Sequence, residues 1–250
     1  MLKEPKIIFH HIPKCGGTSI VTGLVMTYYP MRFLRYGRKG FPGLLNAPKS
    51  SKAAEMADID IYSYRRTLLM QHVESNSSPY ISGHYPFSSE IHKEYGEDWN
   101  CITLLRDPVK RFYSEYLWNR YKDHDYKRTD LSLEAYLESD QGRMNARSFV
   151  NFLSDSTDHT ASPKAKEVQE ATEAISKMRV VGSLEHMDRF RHDLKQAFGR
   201  KPFFFNRNSS PAPQGKKAMP DKNSDVYKKM LDMTEGDREI YQAALSLIGV

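Results

Sequence analysis

The chain has 250 residues, 37 Lys and Arg against 31 Asp and Glu, a formal net charge of +6 and 39% apolar side chains. That is enough for one sizeable domain or two small ones with a buried core, and no stretch approaches the roughly 20 apolar residues of a membrane span. The basic residues are scattered, which favours anionic ligands in general and falls short of a nucleic-acid footprint.

Two cysteines, Cys15 and Cys101, make neither a disulfide framework nor a zinc site and suit a reducing compartment. The opening MLKEPKII leads almost directly into an apolar run, leaving no room for a signal peptide, so a cytoplasmic location is expected.

Ile7-Ile8-Phe9 has the length and character of a buried strand. Pro13-Lys14-Cys15-Gly16-Gly17 follows, then Thr18-Ser19 ahead of Ile20, Leu24 and Val25 at helical spacing. Two glycines let a backbone approach a ligand, and successive amides at the positive end of a helix converge on one point. Thr18 and Ser19 add hydroxyls and Lys14 adds a mobile charge, so the segment suits a tetrahedral anion. The alternative is a plain glycine turn with Lys14 solvated. A Walker loop places its lysine after the last glycine; here Lys14 precedes both. Cys15 has grounds for a lowered thiol pKa beside Lys14, although a compact filler is the simpler reading. His10 and His11, adjacent on a strand, face opposite ways and do not make one metal site; His11 is placed to help hold the loop, and His10 reads as structural.

The first helix is expected over 18–29, stopping at Pro30. Residues 30–57 carry Gly37, Gly40, Pro42, Gly43 and Pro48 among six Lys and Arg, which predicts a long, basic, irregular surface loop. Ser63 to Val73 reads as helix, and Tyr80 to Ser82 as a short strand ending at Gly83-His84. If that strand runs parallel to the first, His84 lands on the same sheet edge as Lys14. Asn100 to Leu105 is the next buried strand. It runs into Arg106 and into a helix that Asp107 caps and Pro108 starts, with Ser114 two turns in. Helices are expected over 131–138, 142–153, 162–178, 183–199, 224–233 and 237–247, a strand over 179–182 and an edge strand over 201–205. The polar stretch of 203–213 is placed to fold over a nucleotide. No H-E-x-x-H, C-x-x-C or G-x-S-x-G is present.

Two of these segments, with a third, resemble a known family. PKCGGTS is similar to the 5′-phosphosulfate loop of sulfotransferases that use 3′-phosphoadenosine-5′-phosphosulfate (PAPS). RDPVKRFYSEY resembles their 3′-phosphate motif, an arginine and a serine eight residues on, here Arg106 and Ser114. GHYPF resembles the segment of hexuronyl 2-O-sulfotransferase-like enzymes that carries the catalytic histidine; where those have a second histidine this chain has Ser82. Weaker likenesses lie at Met144 to Phe149, with Ala146 in place of the usual threonine, at VGSLEHMDRF and at DREIYQAA.

The resemblance implies a single α/β domain over 1–250. It would have three layers, a mostly parallel sheet of about five strands and a P-loop NTPase-like architecture. It also implies sulfuryl transfer from PAPS to an acceptor hydroxyl on a glycan, releasing adenosine 3′,5′-bisphosphate, with no metal required. Lys14 and His84 would be catalytic, as charge neutraliser and general base. Cys15, Gly16, Gly17, Thr18 and Ser19 would hold the phosphosulfate, and Arg106 and Ser114 the 3′-phosphate. Asn145 and Arg147 would face the acceptor, although Arg147 equally suits a bridge between helices. Glu185 reads as structural. Two rival readings stay open: a P-loop kinase, and a non-catalytic module that binds anionic glycans through 32–52.

Overall fold

The computed structural model describes residues 4–37, 40–205 and 211–250. Its centre is a sheet of β1 (Ile7–His10), β2 (Tyr80–Gly83), β3 (Asn100–Leu105) and β4 (Val180–Ser183). All the pairs are parallel, in the order β2-β1-β3-β4. Between β1 and β2 lie α1 (Gly17–Tyr28), α2 (Pro30–Tyr36), α3 (Ala47–Met56) and α4 (Ile61–Ser75). The link from β2 to β3 holds α5 (Ser89–Tyr95). From β3 to β4 the chain forms α6 (Pro108–Tyr121), α7 (Leu133–Glu138), α8 (Asp140–Ala146), α9 (Ser148–Leu153) and α10 (Ala165–Lys177). After β4 come α11 (Met187–Phe198), α12 (Asp225–Met233) and α13 (Glu235–Ile248).

The alternation of a strand splits β1 between two cores. Ile7 and Phe9 pack with Leu24, Val25, Phe190 and Leu194, on the α1–α11 side. Ile8 packs with Ile81, Leu69, Phe149, Ala174 and Ile240, on the side of α4, α9, α10 and α13. The result is three layers, with a separate cluster of Phe112, Tyr116, Tyr136 and Met230 where α6 meets α7 and α12. Because β1 has β2 on one side and β3 on the other, the chain leaves the two neighbouring strand ends in opposite directions. That is the switch point at which parallel α/β sheets open a crevice.

Four expectations are corrected. The sheet has four strands among the described residues rather than about five. Residues 201–205 alternate like a strand, but their backbone lies on α1: a Cβ at Gly23 would meet the Phe203 carbonyl at 2.4 Å. Within 30–57, expected to be irregular, two helices form. Pro30 and Pro48 sit in their first turns, where the missing N–H costs nothing, and Asn46 caps the second by accepting from Lys49 N at 3.1 Å. The single helix expected over 142–153 is two, broken at Arg147 (φ −108°, ψ 32°). Residues 206–210 of the stretch expected to cover a nucleotide lie outside the described residues.

Candidate active site

The loop after β1 is built from residues in unusual backbone conformations. Lys14 has φ 67° and Gly16 φ 80°; the first is uncommon for a side chain with a Cβ, and such strain collects at functional sites. Left-handed residues within a tight loop turn successive N–H groups toward one concavity. Gly16 ends the loop as N-cap of α1 without a side-chain cap, and no acidic residue occupies the first turn. The opening amides of α1 and the hydroxyls of exposed Thr18 and half-buried Ser19 therefore face outward as donors.

Gly17 is required by a neighbour rather than by its own dihedrals. A Cβ there would lie 1.6 Å from His11 Nε2. The His11 ring fills that space, stacked on Phe9 at 5.7 Å and 4.7 Å from the His84 ring.

Three separated segments meet on this loop. Arg106, one residue past β3, donates from Nη1 to the Lys14 carbonyl at 3.2 Å, its sole hydrogen bond among the described residues. His84, one residue past β2, donates from Nδ1 to the His11 carbonyl at 2.7 Å. A carbonyl only accepts, so the ring's hydrogen sits on Nδ1 and Nε2 keeps a lone pair. Arg65, buried behind, holds the His84 carbonyl through Nη1 at 3.4 Å and also donates to Ser50, Ala47 and Ser51. Asp107 caps α6 by accepting from Lys110 N at 2.8 Å, which sets the helix carrying Ser114; that hydroxyl is half-buried.

The electrostatics follow from burial among cations. Burial is the main cause lowering Lys14 to about 8; the Glu115 carboxylate opposes the shift and Arg106 adds to it. His84 is lowered to about 4 by burial and then by Arg65, against its bond to His11, so it is neutral at pH 7. His11 is pushed well below its usual value by burial, His84 and Lys14. Cys15 goes the other way: burial raises its thiol to about 12. Its side chain is a filler, not a reactive thiolate.

The sequence model of the Sulfotransferase family matches residues 1–237. The chain belongs to the sulfotransferase family. No curated protein matches it. Sulfuryl transfer is therefore its reaction class.

Around the sulfotransferase loop, the structure adds residues that the sequence did not single out. Lys14 Nζ lies over the Trp118 ring, 4.4 Å from its centroid, a cation–π contact that parks the charge at the mouth of the loop. Lys122, buried, is also lowered to about 8, by burial first and then by Lys127, with Lys14 adding to it and Glu115 opposing. It donates to Asn119 Oδ1 at 2.8 Å and to the Tyr126 carbonyl. Arg111, Glu115 and Trp118 are spaced four and three residues apart on one side of α6, and Lys122, four further on, is its C-cap. That period, starting from the arginine two residues short of Tyr113, was the available signal.

Asn145 and Arg147, suggested as acceptor contacts, are placed elsewhere. Asn145 accepts from Arg111 at 2.8 Å and donates to the Phe112 carbonyl at 3.1 Å and to the Tyr136 hydroxyl. Arg147, 2% exposed, donates to Asn151 Oδ1 at 3.0 Å, Ser156 Oγ at 2.9 Å, Glu167 Oε1 at 3.2 Å and the Ala161 carbonyl. Both are committed to the interior. Glu185 is structural as expected: it accepts from Asp107 N at 3.2 Å and from the Tyr241 hydroxyl at 2.9 Å, tying α6 to α13. His10 donates from Nδ1 to the Tyr85 carbonyl at 3.1 Å and is 1% exposed.

Proposed function

We propose that residues 1–250 form one catalytic domain that moves a sulfuryl group from PAPS to a hydroxyl of a carbohydrate acceptor. One observation carries the reading: the arginine of one motif and the histidine of another both hydrogen-bond to carbonyls of the same glycine loop, Lys14 and His11. The residues fit the donor's two anionic ends. The uncapped start of α1, with Thr18 and Ser19, suits the phosphosulfate, and Arg106, with most of its fork uncommitted, suits the 3′-phosphate beside Ser114.

Bound there, the donor supplies an activated sulfuryl group, and charge builds on the oxygen it leaves. The backbone amides of residues 15 to 19 and Lys14 oppose that charge, a positioned electrostatic contribution that needs no reorganisation during the step. His84, held by the His11 carbonyl with its Nε2 lone pair available, takes the proton of the acceptor hydroxyl. Its low pKa keeps it unprotonated, and anions arriving at the loop raise its basicity. The carbohydrate acceptor rests on the likeness of GHYPF.

Calorimetric titration with adenosine 3′,5′-bisphosphate, AMP and ATP tests the donor. Tight binding of the bisphosphate alone, lost in Arg106→Ala, is expected. Stronger binding of ATP, with magnesium dependence, would replace this reading with a phosphotransferase. No binding of any nucleotide would favour a glycan-binding module.

A further inference from the structure

The end of the molecule opposite the glycine loop carries a surface that sulfuryl transfer leaves unused. α1 runs from the loop back to the other edge of the sheet, where Tyr29 donates to the carbonyl of Pro5 at 2.6 Å and lies near that of Pro79 at 3.3 Å. α2 follows, with no fully buried residue. It rests on the core through Phe33 and turns Met31 and Leu34 outward, 72% and 77% exposed. Alongside, the Phe203 backbone packs on Gly23 of α1, one turn before exposed Met26. Phe203 is 67% exposed and meets exposed Phe205 edge-on at 5.1 Å. Large apolar side chains thus face water on two neighbouring segments.

The charge of these segments is as unusual as their exposure. From Pro5 to Ala54 there are eight Lys and Arg and no Asp or Glu; from Leu194 to Pro220 there are six and none. The other 173 residues carry 23 basic side chains against 31 acidic ones, so charge is unevenly distributed along the sequence. The two acid-free segments contain exposed Met26, Met31, Leu34, Phe203 and Phe205. Arg32 and Arg35 lie on α2, and Arg200 and Lys201 lead into Phe203; Arg200 is anchored by donating to the Thr27 carbonyl at 3.1 Å. Glu4 answers one of these charges, pairing with Arg32 at 2.9 Å.

Apolar side chains set among cations do not suit a nucleic acid, which has no use for exposed Met and Leu. They suit a bilayer whose headgroups are anionic: the apolar groups insert at the acyl boundary while guanidinium and ammonium groups stay at phosphate level. We propose that Met26, Met31, Leu34, Phe203 and Phe205, among Arg32, Arg35, Arg200 and Lys201, dock this sulfotransferase on an anionic lipid surface. The 12 residues of α1 span about 18 Å, so the docked protein holds its glycine loop away from the membrane, open to acceptors arriving from solution.

The test is cosedimentation of the full chain with vesicles of phosphatidylcholine alone and of phosphatidylcholine with a third phosphatidylserine. Binding to the second and not the first is expected, weakening as salt rises. Met31→Glu with Leu34→Glu should lower the bound fraction at least about tenfold, and Arg35→Gln or Lys201→Gln about fivefold each. Met56→Glu, at an equally open position on α3 (80% exposed), should change nothing; matching melting temperatures establish that the variants are folded. No sedimentation with anionic vesicles at low salt overturns the proposal. So does full binding by the double glutamate variant, or retention on heparin without vesicle binding, since either would leave a general affinity for polyanions and no role for the apolar face.

Discussion

Two regions of this protein hold arginines at the end of the same strand–helix unit, and they use them in opposite ways. Arg106, at the sheet edge, is half-buried and spends one hydrogen bond on the Lys14 carbonyl. Arg111, five residues on, is fully buried; it donates to Glu115 at 2.7 Å, to Asn145 Oδ1 and to the Asn145 carbonyl. Arg147 repeats the second pattern with four acceptors. Near it Asp237, pushed up to about 7 by burial, accepts the amides of Phe149 and Val150 and so caps α9 from α13. In the interior the terminal nitrogens of Arg111 and Arg147 are answered by the protein, because a buried guanidinium without partners is prohibitive. At the sheet edge donors exceed acceptors, and the excess is what an anion can use. Unspent hydrogen-bonding capacity, rather than residue type, separates site from scaffold.

The sharpest way to break that distinction is Arg147→Met. It strands Glu167, Ser156 and the Ala161 carbonyl, and about 3–5 kcal/mol of stability should be lost in urea unfolding, with bisphosphate affinity of the remaining folded protein unchanged. Normal stability with lost nucleotide binding would put Arg147 in the site. Lys14→Ala is the converse: a kcat loss of about 10²–10³, roughly 2.7–4 kcal/mol of transition-state stabilisation, with an unaltered unfolding midpoint. A large stability loss there would make the lysine part of the scaffold.

Gly17→Ala is intermediate, since it strikes scaffold and site together. Its methyl would overlap the His11 ring, which is wedged between Phe9 and His84, and the overpacking should cost about 1–3 kcal/mol. Adding His11→Ala removes the ring and should recover most of that stability. If the double variant is no more stable than Gly17→Ala, the clash is not the cause.

Much of this division was legible in the sequence, and the reasons differ by region. The three parallel strands ending at Lys14, His84 and Arg106 follow from apolar runs punctuated by glycine and by Asp107-Pro108, which act locally. Their convergence required only that the strands be parallel. The segment 30–57 misled because proline breaks a helix in its interior and starts one at its first turn, and Pro30 and Pro48 are of the second kind. Asn145 and Arg147 misled because their partners, at 111, 112 and 136 for the first and at 156, 161 and 167 for the second, are set by packing, which no local pattern encodes. Asp237 and Tyr241 are the same case reversed: their spacing was visible, while their roles at α9 and at Glu185 depend on contacts 88 and 56 residues away.

The smallest effects concern pH, and they probe the electrostatics of the open region directly. His84 must be unprotonated to take a proton and is lowered to about 4; Lys14 must be charged to oppose the leaving group and is lowered to about 8. The kcat/KM profile, which reports the free enzyme, should therefore be flat between these values, falling about tenfold per pH unit below the first and above the second. Glu115→Gln tests the assignment of the upper limb. The amide oxygen can still accept from Arg111, but the negative charge that holds the Lys14 proton is gone, so the alkaline limb should move to lower pH while the acid limb stays. An alkaline limb that does not move would assign it to another group, with Lys122, lowered to a similar value in the same surroundings, the next to be substituted.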